Sequence, residues 1–66
     1  MQILLNGEPR DVAPTASLAA LIEAEALAGR RIAVELNGEI VPRSTHQTVT
    51  LQPGDRVEVV HAIGGG

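Results

Sequence analysis

Few side chains in this sequence are equipped for covalent chemistry. His46 and His61 are its only imidazoles, fifteen residues apart, with no HxH or HxxxH pair and no cysteine to suggest a metal site. Ser17 stands just before Leu18, Leu21 and Ile22, which recur at helical spacing, so its hydroxyl is best read as a helix N-cap rather than a nucleophile. Glu23 and Glu25 fall on the solvated face of the same helix. The glycines of Asn6-Gly7 and Asn37-Gly38 serve turns. Gly64-Gly65-Gly66 precedes no helix and so does not fit a phosphate-cradling loop. These readings leave no catalytic side chain and no metal site.

What remains is the terminal carboxyl. The chain closes on Ala62-Ile63-Gly64-Gly65-Gly66. A frayed terminus is the plain interpretation. The chemical one is that the Gly66 carboxylate is itself the working group. An α-carboxyl has a reference pKa of about 3.3–3.7 and is ionised at neutral pH. A carboxylate is inert to acyl transfer until its oxygen becomes a good leaving group, and attack on the α-phosphate of ATP makes it one, as an acyl-adenylate. The carboxylate must then enter another protein's nucleotide pocket. Residues without Cβ can thread a narrow tunnel, and three extended glycines reach about 10 Å at roughly 3.3–3.6 Å each. Gly64 and Gly65 are thus expected to thread, and Gly66 to react. All five basic residues are arginine, and lysine is absent. A chain without lysine or cysteine has fewer ways to capture its own activated end. A compositional preference for arginine accounts for the same fact equally well.

The elements that must position this end follow from the pattern. Met1–Leu5 reads as a strand, Asn6-Gly7 as a hairpin turn, and Glu8–Val12 as a returning edge strand weakened by Pro9. A helix starts after Ser17, with Gly29 as its expected left-handed stop and Arg30 and Arg31 beside its negative end. Ile32–Leu36 alternates as a half-buried strand, and Asn37-Gly38 turns it into Glu39–Val41. Residues 42–47 form a connector with room for one helical turn, and Thr48–Leu51 is extended. Pro53-Gly54 suits a type II turn, and Arg56–Ile63 is the last strand. The first and last strands are the most apolar, which places them side by side in the middle. The expected fold class is α+β: a mixed sheet of four to five strands with one main helix on one face, the β-grasp or ubiquitin-like arrangement. Residues 1–63 form this domain, and residues 64–66 are expected to be a flexible glycine tail.

Composition narrows the function. With 66 residues there is one domain, and with no Phe, Tyr or Trp its core must come from Leu, Ile, Val and Met. A net charge of −3 and the lack of aromatics argue against nucleic acid as a partner. No apolar run approaches the roughly 20 residues of a membrane span, and Met1 leads straight into a strand rather than a basic leader. The lack of cysteine accords with a cytoplasmic location.

The opening MQILLNGE, the central ELNGEIVPRS and the closing LQPGDRVEVVHAIGGG resemble the ThiS family of bacterial sulfur carriers over essentially the whole chain. The resemblance implies that the Gly66 carboxylate is adenylated by a ThiF-like, E1-type enzyme, with ATP and magnesium belonging to that partner. Sulfur from a persulfide enzyme then displaces AMP to leave a thiocarboxylate. It implies that a ThiG-like thiazole synthase takes the sulfur into the thiazole of thiamin. The family's Gly-Gly motif falls on Gly65 and Gly66. Such a protein is a carrier and co-substrate, not an enzyme, and no bound cofactor is expected. The alternatives are a carrier for another pathway, like the small subunit of molybdopterin synthase, and a ubiquitin-like protein modifier. On the sheet face away from the helix, Leu4 and Val60 are expected to form one exposed apolar patch, extended by Ala62 and edged by Arg56 and Glu58, where the partner enzymes dock.

Overall fold

The two Asn-Gly pairs turn the chain where their conformational preferences dictate. In the computed structural model, which describes residues 1–61, Asn6 and Gly7 have φ of 51° and 82°, and Asn37 and Gly38 have φ of 52° and 87°. Paired positive φ values define the type I′ turn that matches strand twist. One turn joins β1 (Gln2–Leu5) to β2 (Glu8–Asp11), the other β3 (Ile32–Leu36) to β4 (Glu39–Val41), each pair antiparallel. At Pro53-Gly54, Gly54 takes φ 81° and the Asp55 N–H donates to the Gln52 carbonyl, feeding the chain into β5 (Arg56–His61).

The five strands lie in the order β2-β1-β5-β3-β4. The last strand is therefore central, parallel to β1 and antiparallel to β3. Pro9 sits in the edge strand β2 as expected. A single helix, α1 (Leu18–Ala24), covers one face. At its start, Leu18 N–H donates to the Val49 carbonyl, Ala19 N–H to the His46 carbonyl, and Ala20 N–H to Ser17 Oγ at 3.0 Å. The Leu21 N–H makes the first bond within the helix, to the Ser17 carbonyl, so the three N–H groups of the first turn that lack an intrahelical partner are all satisfied.

The helix stops earlier than its sequence suggests. Ala26, not Gly29, provides the left-handed residue, at φ 59°. The Ala26 N–H donates to the Glu23 carbonyl and the Leu27 N–H to the Ile22 carbonyl, the paired bonds of a Schellman cap. Leu27, which follows the left-handed residue, packs partly buried against the core, the hydrophobic contact that accompanies such a cap. Arg30 and Arg31 consequently lie beyond the last helical turn, which contains no basic residue. The connector makes its one turn of 3₁₀ helix at Arg43–Thr45. The segment 48–51 joins no strand and forms one isolated bridge, Thr50 to Ser17.

Nine aliphatic side chains make the core: Ile3 and Leu5 from β1, Leu18, Leu21 and Ile22 from α1, Val34 from β3, Leu51, and Val57 and Val59 from β5. Among the described residues, no helix is long and apolar enough to cross a membrane.

Candidate functional site

The expected reacting position Gly66, the expected threading positions Gly64 and Gly65, and Ala62 of the expected patch lie outside the described residues, as does Ile63 of the expected last strand. What the structure describes is the mount from which that segment continues. β5 alternates buried and exposed residues, with Val57 and Val59 inward and Arg56, Glu58 and Val60 outward. This is the alternation of a strand with one face on the core.

Both Asn-Gly turns clamp this strand. β1 ends at Leu5, yet Asn6 continues its ladder: the Asn6 N–H donates to the Val57 carbonyl, and Asn6 Oδ1 accepts from the Val59 N–H at 2.8 Å. On the other side, the Asn37 N–H donates to the Arg56 carbonyl and Asn37 Oδ1 accepts from the Arg56 N–H at 2.9 Å. Each asparagine turns the chain away with positive φ while its side-chain carbonyl does the work of a strand carbonyl. Asn37 Nδ2 also donates to Asp55 Oδ1 at 3.1 Å, and Asp55 Oδ2 accepts from the Gln52 N–H at 2.7 Å. The start of β5 is thereby tied to two turns at once.

The outward face departs from the single expected patch. Leu4 is half-buried and faces outward, but its register partner in β5 is Arg56. Val60 is opposite Ala33 instead, four residues further along, or about 13 Å at 3.2–3.4 Å per residue. Between them runs a row in which Glu58 is opposite Glu35, and Glu35 is opposite Ile40. Leu4 and Val60 are thus separate apolar spots divided by an acidic pair. Leu4, Arg56 and Glu58 do come together, lining a shallow concavity with Asn6 and Gly7. Ile40, 72% exposed, is the apolar residue on this face that the reading of the sequence missed. The two-residue turn at Asn37-Gly38 carries the signal: it fixes Ile40 opposite Glu35, so both must face the same way.

Ser17 and His46 have structural roles. Ser17 is the N-cap. His46 is buried, and its Nε2–H donates to the Val41 carbonyl at 3.1 Å. His61 is exposed at the end of β5. Among the described residues, no group of His, Asp and Glu could hold a metal ion.

A sequence model of the ThiS family matches residues 3–66. The chain is 44% identical over 66 residues to a thiazole synthase of Magnetococcus marinus, covering all of this chain and 20% of that protein. It is 33% identical over 66 residues to the ycf40 protein of Pyropia yezoensis, covering all of this chain and 93% of that one. The crystal structure of a thiamine biosynthesis protein (ThiS) from Geobacter metallireducens superposes with a TM-score of 0.86 at 35% identity, covering 100% of both chains. Its likeness extends to the mixed five-stranded sheet and single helix of the β-grasp fold.

Proposed function

Because the chain belongs to the ThiS family, we propose that it is a sulfur carrier of thiamine biosynthesis, a co-substrate rather than an enzyme, with its cargo held at Gly66. The observation that carries this reading is the extent of the family match, which runs to residue 66 and so includes Gly65 and Gly66. The Gly66 carboxylate attacks the α-phosphorus of ATP in the pocket of a ThiF-like enzyme, which supplies the nucleotide and magnesium, and pyrophosphate leaves. The outer sulfur of a protein persulfide attacks the acyl carbon and AMP leaves. A thiol then cleaves the resulting acyl disulfide, which frees the thiocarboxylate. A ThiG-like thiazole synthase receives the sulfur, and the likeness to the thiazole synthase of Magnetococcus marinus supports that partner. A cytoplasmic setting, where ATP is available, suits this sequence.

The activation step is tested by ATP–pyrophosphate exchange with a ThiF-like enzyme. Deleting Gly66, or adding one alanine after it, moves the carboxylate by about 3.3–3.6 Å. In-line attack tolerates far less error. Both variants are expected to lose exchange while keeping the far-ultraviolet spectrum of the parent. Full exchange in either one would overturn the assignment of Gly66. Intact mass after reaction with the sulfur donor should show one oxygen replaced by sulfur.

Partner docking falls to the outward sheet face, now as two contacts rather than one. An apolar centre with a charged rim is usual interface anatomy, and here the Leu4–Arg56–Glu58 concavity offers one and exposed Val60, with the Glu58–Glu35 pair beside it, the other. Leu4→Glu and Val60→Glu should each weaken binding of the partner enzymes by about 2 kcal/mol or more. Because the two sites are about 13 Å apart, their effects should add within about 0.5 kcal/mol. Titration calorimetry on the single and double variants measures this, and unchanged affinity in both singles would remove the face from the interface.

A further inference from the structure

A cavity of about 230 Å³ opens on the helix side of the sheet, outside the docking face described above. Its apolar wall is Ala19, Ile22, Leu27 and Ile32, and Arg43 and Glu23 stand at its edge. It exists because the Schellman cap ends α1 at Ala24, leaving Leu27–Gly29 to cross the gap to β3 as a loop. Small-molecule sites are commonly 300–1,000 Å³. This cavity is below that range, and one or two aliphatic side chains of a partner would fill it.

Two features say what kind of partner. The first is charge. The chain carries a net charge of −3 and only five cationic side chains. Arg43 lines the cavity, and Arg30 and Arg31 flank it in the chain, between Gly29 and Ile32, which line it too. The guanidinium of Arg43 donates to the Arg30 carbonyl, which holds the two segments together. The second is position. Ile32 is the register partner of His61, the last described residue of β5. The strand that carries this wall of the cavity therefore runs one strand spacing, about 5 Å, from the root of the segment that leads to Gly66.

We propose that this cavity is a second anchor point for the enzyme that adenylates Gly66, receiving an aliphatic side chain borne on an acidic segment of that enzyme. The proposal rests on the carrier reading above. The outward face orients the sheet, and the cavity grips the helix side at β3, the neighbour of β5, so that the sheet is held from both faces beside the strand leading to the tail.

The test is titration calorimetry with the ThiF-like enzyme, using full-length chains. Arg43→Glu and Ala28→Leu, one reversing the rim charge and one filling the mouth at an exposed position, should each weaken binding about tenfold, equivalent to about 1.4 kcal/mol. Glu23→Gln removes the acidic group at the edge and should tighten binding about twofold. A tightening cannot arise from damage to the fold. Methyl cross-saturation from the enzyme onto the unaltered carrier should reach Ile22, Leu27 and Ile32. Unchanged affinity in all three variants together with no transfer to those methyls overturns the cavity anchor. If deletion of Gly66 still abolishes exchange in that case, the carrier reading stands without it. An unaltered carrier that neither binds the enzyme nor supports exchange overturns both.

Discussion

At the scale of single residues, the asparagines of the two turns look interchangeable in sequence and are not so in the fold. Both offer Oδ1 to a backbone N–H of β5. Only Asn37 also donates through Nδ2 to a carboxylate, that of Asp55. Asn6→Asp keeps the acceptor, and the exposed carboxylate lines the same concavity as one cation and one anion, Arg56 and Glu58, so its stability should stay within about 0.5 kcal/mol of the parent. Asn37→Asp keeps the acceptor to Arg56 but replaces a donor with a second carboxylate against Asp55. Like charges this close raise the folded pKa of the pair above the ordinary value of about 3.9. A group whose folded pKa is raised in this way destabilises the fold when ionised and ceases to do so when protonated. The site is exposed, so the cost at pH 7 should be about 1 kcal/mol. It should fade as the pH falls through the carboxylate range. Urea denaturation of both variants at pH 7 and pH 3.5 measures this, and a pH-independent difference for Asn37→Asp would contradict the like-charge account. Because the chain has no Trp, Tyr or Phe, unfolding must be followed by far-ultraviolet circular dichroism or by amide resonances.

At the scale of elements, the end of α1 shows a local preference yielding to packing. Ala26 holds φ 59° in a position where glycine is the usual residue. The left-handed conformation costs an L-residue about 1–2 kcal/mol, while glycine brings back about 0.4–1 kcal/mol of unfolded-state entropy. Ala26→Gly should therefore stabilise the domain by about 0.5–1 kcal/mol, raising Tm by a few degrees at about 4–8 °C per kcal/mol. A lower Tm would mean that the cap does not hold the helix end. This is also where legibility in the sequence ran out. Turns and strands were readable because Asn6-Gly7, Asn37-Gly38 and Pro53-Gly54 carry their own chemistry, and because Ile32–Leu36 and β5 alternate with period two. Strand faces followed from that alternation: Val57 and Val59 lie inward and Val60 outward as read. The helix end was not readable, since nothing local distinguishes Ala26 from its neighbours and the deciding contact is Leu27 against a core assembled from distant segments. That β1 and β5 are neighbours was legible from their apolar character, but their parallel direction and register were not. That register is why Leu4 meets Arg56 instead of approaching Val60.

At the scale of the whole molecule, the fold rests on nine buried aliphatic residues. A single core in a domain this small rarely supplies more than about 3–5 kcal/mol. Leu18 is fully buried where the helix start meets the connector, and Leu→Ala at such a site costs about 2–5 kcal/mol. Leu18→Ala should leave the chain largely unfolded at 25 °C, with collapsed amide dispersion. A dispersed spectrum and a Tm loss below a few degrees would show a core with more reserve than its size suggests. The central position of β5 has a consequence in time. Every other described element is synthesised before it, yet the hairpin β1–β2 and the hairpin β3–β4 have no sheet contact with each other except through it. One bond that seals the centre, from Val59 to Asn6, spans 53 residues of chain. Pairings of such long sequence separation form slowly and late. A growing chain therefore holds two hairpins that cannot join until the strand leading to Gly66 emerges, and a chain interrupted before that strand has no completed sheet. Folding itself then reports that synthesis has reached the strand bearing the tail, so a partner that recognises the finished sheet selects against prematurely shortened chains.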